Sequence, residues 1–184
     1  MAISNAWTDV DTLEVAVSGL TRASTINGML GNQLWLYERP MVAVRLTVAQ
    51  PVAAATTSNV EWDEKVWGLA SMWDISSPAT VVLPRTGTYL IDVRARFDET
   101  VEGDLSQRAL LMYPNGASTD RLSERRVATN PTDMGFTTFT SFLADDYFEV
   151  AARQLYSAAV DLMPIRTVLK VWYLGPWQAD EEPA

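Results

Sequence analysis

A chain of 184 residues with 48% hydrophobic side chains is long enough for one sizeable core and an appendage beside it. Its formal net charge of -9, from 14 basic and 23 acidic side chains, is the wrong sign for a nucleic-acid surface, where clustered Lys and Arg neutralise phosphates. With no cysteine and no histidine, disulfides, thiolate or imidazole metal ligands, cysteine nucleophiles and a Ser-His-Asp triad are excluded, and only carboxylate chemistry of the glycosidase kind stays open.

The first residues, MAISNAWTDVDTLEVAV, place acidic side chains where a secretory leader needs basic ones and interrupt the apolar run, so no export signal is expected. No apolar run approaches the roughly 20 residues that span a bilayer, so membrane insertion is not expected. In LTRASTINGMLGNQLWLYER (20 to 39), Ile26, Leu30, Leu34 and Tyr37 fall on one helical face, with Thr21 as N-cap and Pro40 just past the end. Gly28 and Gly31 each cost about 1 kcal/mol against alanine, so this helix needs packing to persist.

From Pro40 onward the pattern changes to short strands. MVAVRLTV (41 to 48) reads as a strand and QPVAAATTSN as a loop of small residues. Trp62, Trp67 and Trp73 then crowd VEWDEKVWGLASMWDISSP; buried they plug the end of a β-sandwich, exposed they stack on sugar faces. TVVLP and YLIDVRARF flank a corner at Gly87, and alternation puts Tyr89, Ile91, Val93, Ala95 and Phe97 in the core with Asp92, Arg94, Arg96 and Asp98 outside. RALLMYPNG is a strand closed by Asn115-Gly116, which accept positive φ. FTTFTSFLADDYFEVAARQLY gives two strands joined at Ala144-Asp145-Asp146, TVLKVWYLGPW a last strand, and QADEEPA an acidic tail. Many short strands with turn signals between them predict an all-β sandwich or barrel.

The last strand is apolar on both faces: Leu169, Val171 and Tyr173 on one, Val168, Trp172 and Leu174 on the other. Such a strand needs a second layer, from a neighbouring copy or from the amphipathic helix at 20 to 39.

Candidate chemistry is sparse. Asp145 and Asp146 read as a turn rather than a carboxylate pair, because adjacent strand residues point to opposite faces. Glu99, Glu102 and Asp104 supply oxygen ligands without the spacing of an EF-hand loop. Arg121, Arg125 and Arg126 are either a charged edge strand or a surface for an acidic neighbour such as another copy's tail. No phosphate loop and no GxSxG elbow is present, so neither an enzyme nor a cofactor is expected.

In order and spacing, VAVRLTV, VEWDEKVWGLASMWD, VVLPRTGTYLIDVRARF, RALLMYPNG, FTTFTSFLADDYFEVAARQ and LKVWYLG resemble the C1q/TNF-like jelly roll, in particular the C1q-like modules of bacteriophage virion proteins. The resemblance covers residues 41 to 175, with Ala144-Asp145 standing where the family usually has Gly-Asp. The lead containing Trp7 and the following LTRASTINGMLGNQLWLYERP resemble virion attachment segments.

What the resemblance implies is an all-β jelly-roll sandwich (41 to 177) with a short N-terminal α-helical attachment segment (1 to 40) and an acidic tail (178 to 184). It implies a homotrimer with Leu169, Val171, Tyr173, Val168 and Trp172 as interface candidates, and attachment through Trp7, Ile26, Leu30, Leu34 and Tyr37. The expected role is a non-enzymatic virion structural protein on the particle exterior, a capsid decoration or head-fibre protein made in the host cytoplasm, with other virion proteins, the major capsid protein or a tail protein, as partners. The alternatives are a minor tail or tail-tip protein, or a receptor or carbohydrate-binding module that uses Trp62, Trp67 or Trp73 on a host surface glycan.

Overall fold

The computed structural model describes residues 39–98, 107–117, 121–126 and 132–176. The attachment candidates Trp7, Ile26, Leu30, Leu34 and Tyr37, the acidic loop at Glu99, Glu102 and Asp104, and the acidic tail lie outside the described residues.

Twelve described strands form two antiparallel sheets: Met41–Arg45 (β1), Gln50–Val52 (β2), Thr57–Asn59 (β3), Glu64–Gly68 (β4), Thr80–Val82 (β5), Gly87–Phe97 (β6), Gln107–Pro114 (β7), Arg121–Arg126 (β8), Thr132–Phe142 (β9), Tyr147–Gln154 (β10), Val160–Leu162 (β11) and Val168–Gly175 (β12). The larger sheet runs β2-β11-β6-β12-β1-β4, with β9 paired to the other side of β6. The smaller runs β3-β10-β7-β8, with β5 also paired to β10. The expected strand at 41 to 48 stops at Arg45, because Thr47 and Val48 turn their amides onto the Asp63 carboxylate at 2.6 and 2.9 Å. The Trp-rich stretch is partly regular: β4 and a 3-10 turn at Ala70–Met72 lie within it.

Alternation in β6 is realised as read. Tyr89, Ile91, Val93, Ala95 and Phe97 are buried, and Leu90, Asp92, Arg94 and Arg96 face out. Opposite them in the core lie Val81, Leu110, Phe148 and Val150 from the smaller sheet. Among the buried polar residues, Arg108 and Gln154 were not foreseen. Arg108 lies with its guanidinium carbon 5.2 Å from the Phe97 ring centroid, and its Nη1 donates to Thr132 Oγ1 at 3.3 Å. Gln154 donates Nε2 to the carbonyls of Val52, Ala53 and Ala158 at 3.3, 2.5 and 3.0 Å, and its Oε1 accepts from the Tyr156 amide at 2.6 Å.

One end of the sandwich is tied by aromatic and turn chemistry. Tyr89 Oη donates to the Arg85 carbonyl at 2.7 Å and accepts from the Arg85 amide at 3.2 Å, so the hydroxyl closes the corner that precedes its own strand. Tyr173 Oη donates to the Thr86 carbonyl at 3.0 Å, and the Tyr89 and Tyr173 rings meet edge to face at 5.1 Å. Gly87 makes room for this: at φ +152° a Cβ there would lie 2.3 Å from the Gly175 carbonyl oxygen and 2.4 Å from the Tyr173 ring.

In the turn between β9 and β10 the residue with positive φ is Asp145, at 68°, and not Ala144, which precedes it. Asp146 performs the structural work of the turn: Oδ2 accepts from the Leu143 amide at 2.8 Å, and Oδ1 accepts from Asn115 Nδ2 at 2.9 Å. Asn115 Oδ1 accepts in return from the Tyr147 amide at 2.9 Å, joining the Asn115-Gly116 turn to this one.

Burial pushes the Tyr89 hydroxyl up to about 12 from its ordinary value of 10.0. The fold therefore favours the neutral phenol, a contribution complete below pH 10 and lost as the pH climbs from about 10 to about 12. Chemical denaturation across this window should show a loss of stability that is smaller in Tyr89→Phe, a variant already weaker at neutral pH by about 1–2 kcal/mol from its lost hydrogen bonds. Gly87→Ala should destabilise by about 2 kcal/mol or more, through strain and the Gly175 clash. Asp145→Gly should be neutral or stabilising by up to about 1 kcal/mol, because glycine accepts its φ freely; equal losses in the two variants would contradict both assignments.

Candidate interaction face

The strand pattern turns one face of the larger sheet inward and presents the other as a surface whose side chains align in rows across strands. Cross-strand register puts Met41 of β1 opposite Trp172 of β12, Trp172 opposite Leu90 of β6, and Leu90 opposite Phe139 of β9. The four come from positions far apart in sequence and form one apolar row. Phe139 at its end is 67% exposed, while Met41, Trp172 and Leu90 are half-buried. Trp67 of β4 leans onto the row, its ring centroid 5.9 Å from that of Trp172 at an interplanar angle of 44°.

One step along the strands the face becomes polar. Ala43, Lys170, Asp92 and Thr137 form the next row, and Arg45, Val168, Arg94 and Gly135 the one beyond. Thr137 Oγ1 donates to Asp92 Oδ1 at 2.8 Å, fixing that carboxylate, and Arg45 is paired with Glu64 across β1 and β4. Gly135 supplies no side chain, so the third row has a hollow. It opens into a cavity of about 590 Å³ lined by Arg94, Arg166, Lys170, Asp92, Asp133 and Val168 among others. Arg94 Nε is 3.6 Å from Asp92 Oδ2, and Asp133 Oδ2 is 3.8 Å from Arg96 Nη1.

The five interface candidates on the last strand divide between its two sides. Leu169, Val171 and Tyr173 are buried in the sandwich's own core, and Val168 and Trp172 lie on the outer face with Leu174, which is 39% exposed. The tryptophans divide too. Trp62 is fully buried, and Trp73 is 7% exposed with its Nε1 donating to the Pro78 carbonyl at 3.0 Å, so neither offers a ring to a sugar. Trp67 is half-buried on the outer face. Asp145 is exposed at the left-handed position of the turn, and each oxygen of Asp146 accepts a turn hydrogen bond, so the two read as turn residues rather than an acting carboxylate pair. Among the described residues no group of three or more Asp, Glu, His or Cys is arranged to hold a metal. The triple arginine segment is strand β8, paired to β7 and last in the smaller sheet's order.

The sequence reading missed Met41, Leu90 and Phe139. For Phe139 a signal was present: Phe136 and Phe142 share one parity in β9 and are buried, and Phe139 has the other parity.

No protein-family model matches the chain, and no curated protein matches it. Solved structures do. Eiger TNF from S. frugiperda superposes with a TM-score of 0.56 at 13% identity, covering 80% of this chain and 99% of that one. Murine APRIL gives 0.54 at 16% identity over 73% and 98%, and the globular domain of the zebrafish complement 1qA protein gives 0.55 at 13% over 76% and 100%. At this identity the likeness shows the fold: the described chain is a TNF/C1q-like jelly roll.

The placement of the indoles has a direct readout. Trp67→Phe should remove part of the emission that acrylamide quenches, and Trp62→Phe part of the emission that it does not. Equal quenching of both would contradict the sidedness described above.

Proposed function

We propose that the protein is a non-enzymatic structural component of a bacteriophage particle: a homotrimer displayed on the particle exterior as a capsid decoration or head-fibre protein, anchored by residues 1 to 40. The observation that carries self-association is the apolar row Met41, Trp172, Leu90 and Phe139, with Trp67 beside it. A contiguous apolar patch on a chain with net charge -9 is an interaction surface by its cost in water, and burying a side chain such as Phe139 contributes about 1.5–3 kcal/mol. Three copies is what the C1q-like resemblance implies. The virion role is supported by the resemblance of the segment order to phage C1q-like modules and of residues 1 to 40 to attachment segments.

The carbohydrate-binding reading now rests on Trp67 alone among its three candidates, in a ring pair shared with Trp172.

Light scattering on the purified chain should give the mass of three copies. Phe139→Asp and Leu90→Asp should shift it toward one copy with the far-ultraviolet circular dichroism unchanged, and a wild-type chain that stays single would sink the assembly reading. Particles lacking the protein should lose thermal or osmotic tolerance and keep infectivity. Normal tolerance, or label on the tail in imaged particles, would remove the decoration role.

A further inference from the structure

The turn that closes β7 brings a nucleophile and an electrophile side by side. The Ala117 amide donates to the Pro114 carbonyl at 2.9 Å, and Asn115 and Gly116 between them take positive φ, 49° and 72°. Both residues are exposed, and the Gly116 amide donates to no described residue. When an asparagine carboxamide swings toward the next main-chain nitrogen, that nitrogen attacks Cγ. An N–C bond forms, and Nδ2 leaves as ammonia with the proton of the attacking amide. Water then opens the cyclic imide at one of its two carbonyls. The product is aspartate or, with the chain rerouted through the side-chain carbon, isoaspartate. Glycine hinders this approach least, because no Cβ stands beside its nitrogen.

In this fold the carboxamide is held. Asn115 Nδ2 donates to Asp146 Oδ1 and Asn115 Oδ1 accepts from the Tyr147 amide, both at 2.9 Å. Attack by Gly116 requires both bonds to open, so the clamp sets the rate. The clamp is also what the product damages. An aspartate at 115 still accepts from the Tyr147 amide, but it sets a carboxylate oxygen against Asp146 Oδ1 where a donor stood. Asp146 is not free to turn away, because Oδ2 accepts from the Leu143 amide at 2.8 Å. The disturbance reaches the corner before β6. The Leu83 amide donates to the Asp146 carbonyl and the Asp145 amide to the Leu83 carbonyl, both at 2.8 Å, and the Ala144 amide donates to Thr86 Oγ1 at 2.9 Å.

We infer that Asn115 is a site of spontaneous covalent modification, converted through Gly116 to aspartate and isoaspartate when the Asp146 clamp opens, and that the product loosens the cluster of turns at this end of the sandwich. The inference is independent of the assembly reading.

The full-length chain, warmed in heavy-oxygen water below its unfolding temperature and mapped by peptide mass spectrometry, should gain heavy oxygen at residue 115. In Asp146→Asn one amide oxygen cannot serve both the Leu143 amide and Asn115 Nδ2, so labelling at 115 should run about two- to tenfold faster, the equivalent of one hydrogen bond. Asn115→Asp, the product made directly, should lower Tm by about 2–8 °C. Adding Asp146→Asn to it should restore most of that loss, because donor and acceptor then exchange sides. A second Asn-Gly pair, Asn27-Gly28, falls in a different peptide, and Asn27→Gln removes it as a contributor to the stability measurements. No label at residue 115 in either chain after a free peptide of residues 111 to 117 has converted fully would overturn the inference. Equal labelling rates with and without Asp146, an Asn115→Asp chain as stable as the wild type, or a double variant no better than Asn115→Asp would each overturn the role of the clamp.

Discussion

The approach of Gly87 to the Gly175 carbonyl and the Tyr173 ring fixes where β6 and β12 begin to pair, and most of the larger sheet is registered from that contact. From it, β6 runs eleven residues against β9 on one side, and against β12 and then β11 on the other. β12 in turn sets β1, and β1 sets β4. A slip of one residue at this corner would turn every side chain of β6 to the opposite face and exchange Ile91 and Val93 for Asp92 and Arg94 in the core. The two tyrosine hydroxyls, by closing on Arg85 and Thr86, hold the corner from both strands. The outer rows, apolar and polar alike, are therefore consequences of one steric fit at the end of the sandwich.

Much of this architecture was legible in the sequence where a local rule is strong. Alternation in β6 named its core face correctly, Asn115-Gly116 marked a tight turn, and the Asp-rich turn was found, although its left-handed residue is Asp145. The outer apolar row was not legible, because it is a property of register between strands at 41, 90, 139 and 172 rather than of any stretch of sequence. The last strand is instructive: apolar on both sides, it announces that both faces are covered or coverable, but Val171 and Trp172 cannot be ranked inside and outside without knowing what pairs with β12. The three-residue strands β3 and β11 are too short to carry a period. Arg108 reads as a surface residue by its charge, and only the Phe97 ring and Thr132, brought in from other strands, show how it is accommodated inside.

The outer face divides into an apolar row and a charged belt, and the two have different physics. Leaving the row wet costs free energy, and its burial is not weakened by electrostatic screening, so it sets affinity for whatever covers it. The belt of Lys170, Asp92, Arg94 and Arg45 is open to solvent in part, most at Arg94, so its charges are screened and contribute orientation more than strength. Apolar attraction alone would let two copies of a flat sheet slide past each other; a fixed charge pattern one row away penalises the wrong offsets.

Gln154 shows how narrow the chemical tolerance of the interior is. Its amide nitrogen faces three backbone carbonyls while its oxygen receives an amide proton, a pattern that only a group with a donor end and an acceptor end can satisfy. Glutamate differs by one heavy atom and fits the same volume, yet it would set a carboxylate oxygen against three carbonyl oxygens in a site closed to solvent. Deamidation of Gln154 would therefore disrupt the fold, and the burial that makes the change so costly also shields the amide from the water that would hydrolyse it.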